Sequence, residues 1–81
     1  MKTPRLRFYT KPGCTLCEQA LAVVARVRRR IPFELEQVDI TADPELFARY
    51  HDRIPVVEID GEEAFEFTVR EDRLLARLRR A

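Results

Sequence analysis

Tyr9-Thr10-Lys11-Pro12-Gly13-Cys14-Thr15-Leu16-Cys17 holds both cysteines of the chain, with only Thr15 and Leu16 between them. Before it, Arg5 to Tyr9 places Leu6 and Phe8 at the alternating spacing of a strand, and Lys11-Pro12-Gly13 is a turn. After it, Leu16, Ala20, Val23, Val24 and Val27 recur at i, i+4, i+7, i+8 and i+11, which predicts one apolar face of a helix. The cysteines therefore fall where a strand gives way to a helix. A cysteine at a helix N-terminus lies beside unpaired backbone N–H groups and the positive end of the helix dipole, which favour the reactive thiolate.

Working outward, Ile31-Pro32 ends this helix near Arg30, because proline disfavours helical backbone in the residue before it. Phe33 to Ile40 reads as extended. Phe33 and Leu35 are out of phase with Val38 and Ile40, so a bulge or burial on both faces is expected. Asp43-Pro44-Glu45 opens a short helix, with Asp43 as N-cap and Leu46, Phe47 and Tyr50 facing the core. Pro55 to Asp60 and Ala64 to Phe67 form a hairpin about Asp60-Gly61. Thr68 and Glu71 have the spacing of a capping box, and Leu74, Leu75 and Leu78 line a last helix. The order β-α-β-α-β-β-α makes the first two strands parallel and predicts an α/β domain, a four-stranded mixed sheet flanked by helices.

The chain has 81 residues, enough for one compact domain, expected over 1-81. Hydrophobic residues at 46% and charged residues at 36% indicate a soluble globular class. No run approaches the roughly 18 apolar residues of a membrane span, and Met1 to Thr10 lacks the apolar block of a secretory signal. A cytoplasmic monomer is expected. Net charge is +1, which gives no whole-chain field for nucleic acid or an anionic membrane. Arg28 to Arg30, and Arg77, Arg79 and Arg80, end two predicted helices, where positive charge complements the dipole.

Cys14 and Cys17, three apart on one side of a first helical turn, can reach each other. The first is the expected nucleophile and the second the resolving thiol. Two other readings of the spacing are a structural staple and half of a metal site. A bridge over so short a loop removes only about 2 kcal/mol of chain entropy. A tetrahedral zinc site needs four ligands, and the chain has no second cysteine pair and a single histidine, His51.

The Tyr9 to Cys17 segment resembles the active-site segment of glutaredoxins, and Arg53-Ile54-Pro55-Val56-Val57 resembles their second signature. The element order matches the thioredoxin fold, and the likeness is to the small bacterial glutaredoxin-like branch of that superfamily. The resemblance implies that Pro55 is a cis proline beside the cysteines, exposing the backbone of Ile54 to an extended peptide or glutathione. It implies that Lys11 meets a glutathione carboxylate, and that Tyr9 and Pro12 shape the site. Two departures stand out. Leu16 replaces the aromatic residue usual between glutaredoxin cysteines, and Phe67-Thr68-Val69-Arg70-Glu71-Asp72 stands where Gly-Gly-x-Asp-Asp is usual. N–H groups near Thr68, Val69 and Arg70 remain candidates to hold an anion, in competition with helix capping.

The expected function is that of a dithiol oxidoreductase acting on protein or glutathione disulfides. No bound cofactor is expected; glutathione is the candidate co-substrate, and glutathione or thioredoxin reductase the electron source. An adaptor or redox-sensing module without turnover is the alternative. Delivery of metal or an iron–sulfur cluster would require ligands from a second chain.

Overall fold

The computed structural model describes residues 3–80 of the expected 1-81 domain; Met1, Lys2 and Ala81 lie outside the described residues. The elements are β1 (Arg5–Thr10), α1 (Thr15–Arg30), β2 (Glu34–Asp39), α2 (Pro44–Tyr50), β3 (Val56–Ile59), β4 (Glu62–Glu66) and α3 (Glu71–Arg80). The sheet runs β2-β1-β3-β4. β1 and β2 are parallel, and the β1–β3 and β3–β4 pairs are antiparallel. This is the predicted α/β architecture.

Strand alternation and register divide the core between two faces. Leu6 pairs with Ile59 and Phe8 with Val57, placing these four fully buried side chains on one face. Cys17, Ala20, Val24 and Val27 of α1, with Leu74, Leu75 and Leu78 of α3, are the buried helical residues that seal it. Tyr9 pairs with Val56 and Val38 on the other face, where its ring stacks on Tyr50 of α2 at 4.4 Å. Each fully buried Val, Leu or Phe side chain contributes about 1.5–3 kcal/mol of transfer free energy.

Local signals hold in several places. Asp43 caps α2 by accepting the Glu45 N–H at 2.9 Å, with Pro44 in the first turn. Asp60 and Gly61, with φ of 52° and 86°, form the hairpin turn. α1 ends at Arg30, before Ile31-Pro32.

Other expectations need correction. Leu16 does not join the core face of α1, which is set by Cys17, Ala20, Val24 and Val27; one residue on a helix is about 100° of rotation, so Leu16 points outward at 45% exposure. Phe47 is likewise 42% exposed, because the seven-residue α2 buries only the narrow stripe containing Tyr50 and, partly, Leu46; its ring stacks on His51 at 5.1 Å. Of the two expectations for β2, burial on both faces holds and the bulge does not: Leu35 lies beside Leu6 and Val38 beside Tyr9 on the opposite face, both partly buried, and Ile40 has already entered a 3-10 turn. The irregularity sits instead between Val57 and Glu58. β4 begins at Glu62, before Ala64, and ends at Glu66, before Phe67.

The capping box of Thr68 and Glu71 does not form. α3 starts at Glu71, with the Leu74 N–H bonded to the Arg70 carbonyl at 2.9 Å, so Thr68 lies outside the capping position. The Glu71 carboxylate turns instead to α1, 3.0 Å from Arg26 and 3.7 Å from Arg30.

Candidate active site

The Tyr9–Val56 pair places the C-terminal end of β1 beside the N-terminal end of β3. The cysteine loop leaves β1 there, and Ile54-Pro55 enters β3 there. β4 ends on the same side, because Glu66 pairs with Val56 and the Phe67 N–H donates to the Pro55 carbonyl at 2.9 Å. Three segments of distant sequence, 11–17, 54–55 and 67–70, thus meet at one end of the sheet.

Gly13 turns the chain with φ 77°, a left-handed value that glycine adopts without a Cβ clash. Cys14 follows in extended conformation as the N-cap of α1. Its sulfur accepts the Cys17 N–H at 3.1 Å, and its carbonyl accepts the Glu18 N–H at 3.1 Å. The two cysteines form a disulfide, with Cα atoms 5.2 Å apart. Cys14 is half-buried and Cys17 only 3% exposed, so an incoming sulfur meets Cys14 first.

A shallow cavity of about 140 Å³ lies against the disulfide, lined by Lys11, Pro12, Cys14, Cys17, Glu18 and Leu21 among others. Lys11 and Pro12 thus lie beside the cysteines at this cavity. Glu18 and Leu21 were not anticipated, although both are legible in principle: they follow Cys14 at i+4 and i+7, one face of the same helix.

The Ile54–Pro55 peptide is cis. Its segment is clamped from two sides: the Arg53 and Ile54 N–H groups donate to the Tyr50 carbonyl at 2.8 and 3.1 Å, and the Arg53 guanidinium reaches Glu63 at 3.1 Å and Glu66 at 3.2 Å. Arg53 also lies 5.1 Å over the Tyr50 ring. This pairing holds the Glu63 carboxyl below its ordinary range and the guanidinium above its own. The expectation of an open Ile54 backbone needs amendment, since its N–H is engaged by Tyr50 and its carbonyl is the group it can offer.

Tyr9 is not brought to the cavity. Its ring is 4% exposed under Tyr50, and its hydroxyl donates to Glu58 Oε1 at 3.1 Å, while the Tyr50 hydroxyl donates to Oε2 at 3.4 Å. Burial, foremost, pushes the Tyr9 phenol above its usual value. Thr68 and Arg70 are exposed at the site end and Val69 is buried. Among the described residues no three His, Cys, Asp or Glu side chains converge as a metal site would require.

This chain matches a known family over most of its length. The Glutaredoxin-like domain (DUF836) matches residues 5–79. A glutaredoxin-like protein of Dictyostelium discoideum is 32% identical over 79 residues, covering 90% of this chain and 73% of that protein. The X-ray structure of the structural-genomics target protein XcR50 from X. campestris is 31% identical, with a TM-score of 0.80, covering 94% of this chain and 97% of that one. Thioredoxin-2 of the malaria parasite, 15% identical, covers 100% of this chain and 86% of its own at a TM-score of 0.77, a likeness of fold. With a four-stranded mixed sheet, helices on both faces and a Cys-x-x-Cys disulfide at the first helix N-terminus, the chain belongs to the glutaredoxin-like domain family of the thioredoxin-fold superfamily.

Proposed function

We propose that this protein is a small dithiol thiol–disulfide oxidoreductase. One observation carries the reading: a disulfide at the N-terminus of α1 whose first sulfur is accessible and whose second is buried. In the reduced protein the Cys14 thiolate attacks one sulfur of a substrate disulfide, forming a mixed disulfide and expelling the other substrate sulfur as a thiolate. The Cys17 thiolate then attacks Cys14 Sγ, releasing the second substrate thiolate. Two electrons have passed to the substrate, and Cys14–Cys17 is left oxidised.

The Cys17 N–H that the Cys14 sulfur accepts, together with the positive end of the α1 dipole, stabilises the Cys14 thiolate for attack. Lys11, at the edge of the cavity, supplies positive charge for an anionic partner. Resetting requires a thiol reductant, either glutathione or thioredoxin reductase. Such a cycle runs only where that reductant is kept reduced, so we place the protein in the cytoplasm.

The test is turnover. Disulfide reduction is followed with insulin as substrate, coupled once to thioredoxin reductase and once to glutathione with its reductase. The reading expects sustained reduction with at least one donor, abolished by Cys14→Ser. Absence of turnover with both donors favours an adaptor or sensor, and full activity in Cys14→Ser removes Cys14 as nucleophile.

A further inference from the structure

Phe67 occupies a conformation that its side chain does not favour. Its φ is 66°, in the left-handed region that bulky L-residues rarely adopt and glycine enters freely. Core packing does not account for the choice, because the residue is 45% exposed. The backbone is fixed all the same: the Phe67 N–H is bonded to the Pro55 carbonyl at 2.9 Å, tying the residue to the cis-proline side of the site. Strain held in place by its surroundings, with an apolar ring left in water, points to a role at the surface.

The large exposed hydrophobics among the described residues are Leu16, Phe47 and Phe67. Phe47 has a stacking partner in His51 and lies outside the three site segments. Leu16 lies between the two cysteines, and Phe67 follows β4 at the same end of the sheet. The disulfide end thus offers two apolar contacts, separate from the Lys11 cavity.

Two of the groups that could draw a carboxylate to the 67–70 segment are engaged. The Thr68 N–H donates to the Glu66 carbonyl at 2.8 Å, and the Arg70 guanidinium is paired with Asp72 at 3.2 Å. Glutathione brings two carboxylates and no large apolar side chain, so it offers the exposed Phe67 ring no apolar partner. An extended protein segment with apolar residues around its reacting cysteine matches it well.

We infer that Phe67 is a specificity-determining residue: with Leu16 it forms an apolar rest that selects protein disulfides flanked by apolar side chains over glutathione disulfide. The inference rests on the exchange chemistry proposed above.

The test is single-turnover exchange. Pre-reduced protein is mixed either with a peptide disulfide carrying Leu and Phe beside the reacting cysteine or with glutathione disulfide, and the ratio of the two rates is measured. Phe67→Gly suits the left-handed backbone, so the fold is kept while the ring is lost. Its peptide-to-glutathione ratio is expected to fall about tenfold, the scale of a lost apolar contact in specificity. Phe67→Leu is expected to restore most of the ratio. An unchanged ratio in Phe67→Gly, or an equal loss of both rates, overturns the inference. If the unsubstituted protein exchanges with neither disulfide, the exchange reading itself fails and the inference falls with it.

Discussion

Glu58 accepts hydrogen bonds from two stacked tyrosines, and this small arrangement explains what the sequence could not say about Tyr9. Placed one residue before Thr10-Lys11-Pro12, Tyr9 reads as part of the site loop. Its side chain belongs to the α2 face because strand alternation sends it away from Phe8, and its partners Tyr50 and Glu58 are remote in sequence. The buried phenol keeps its proton to higher pH than in the unfolded chain. The stability this contributes is therefore full below about pH 10 and is lost as pH rises through the folded value. Denaturant unfolding from about pH 9 to pH 11 is expected to show falling stability, with a shallower fall in Tyr9→Phe. An identical slope in the variant would show that Tyr9 makes no such contribution. The cysteine pair and the Lys11-Pro12-Gly13 turn were legible because turn and helix start are local signals, whereas the site roles of Lys11 and Pro12 are implied only by the family resemblance. Glu18 and Leu21 follow from the same helix once the cavity is known.

Among the elements, those fixed by neighbours in sequence were readable and those fixed by distant partners were not. Asp43 capping α2 and the Asp60-Gly61 turn need only local backbone chemistry. The Thr68–Glu71 box fails because α3 starts at Glu71, which puts Thr68 outside the capping position, and the Glu71 carboxylate instead meets Arg26 and Arg30 of another helix. Leu16 and Phe47 were misplaced for a related reason: periodicity gives an apolar stripe, while packing decides which edge of it is covered. The hairpin offers a clean check. A Cβ added at Gly61 would meet no atom within 4 Å, so its φ of 86° is the sole obstacle to substitution. Gly61→Ala should cost about 1–2 kcal/mol in urea unfolding, all of it backbone. A cost near zero would mean that the turn relaxes to another conformation.

At the level of the whole molecule, the fold brings the 11–17, 54–55 and 67–70 segments to one end of a four-stranded sheet. Strand directions predicted the parallel first pair and the hairpin, but the order β2-β1-β3-β4 depends on which edges meet in space. The cis state of Pro55 was indicated by resemblance, since the small intrinsic preference at an X–Pro bond leaves tertiary context to decide. The net charge of +1 also conceals a division: α1 and α3 carry eight arginines against three acids, so the remainder of the molecule is net acidic. The disulfide closes too short a loop to hold this fold together, contributing about 2 kcal/mol of chain entropy, which suits a bond that opens and closes. The central claim is that Cys14 attacks and Cys17 resolves. Its most direct measurement is intact-protein and peptide mass spectrometry after reduced Cys17→Ser and Cys14→Ser proteins each meet a peptide disulfide. A stable mixed disulfide on Cys14 in Cys17→Ser, with little adduct in Cys14→Ser, is the predicted result. An adduct forming faster on Cys17 in Cys14→Ser would contradict it.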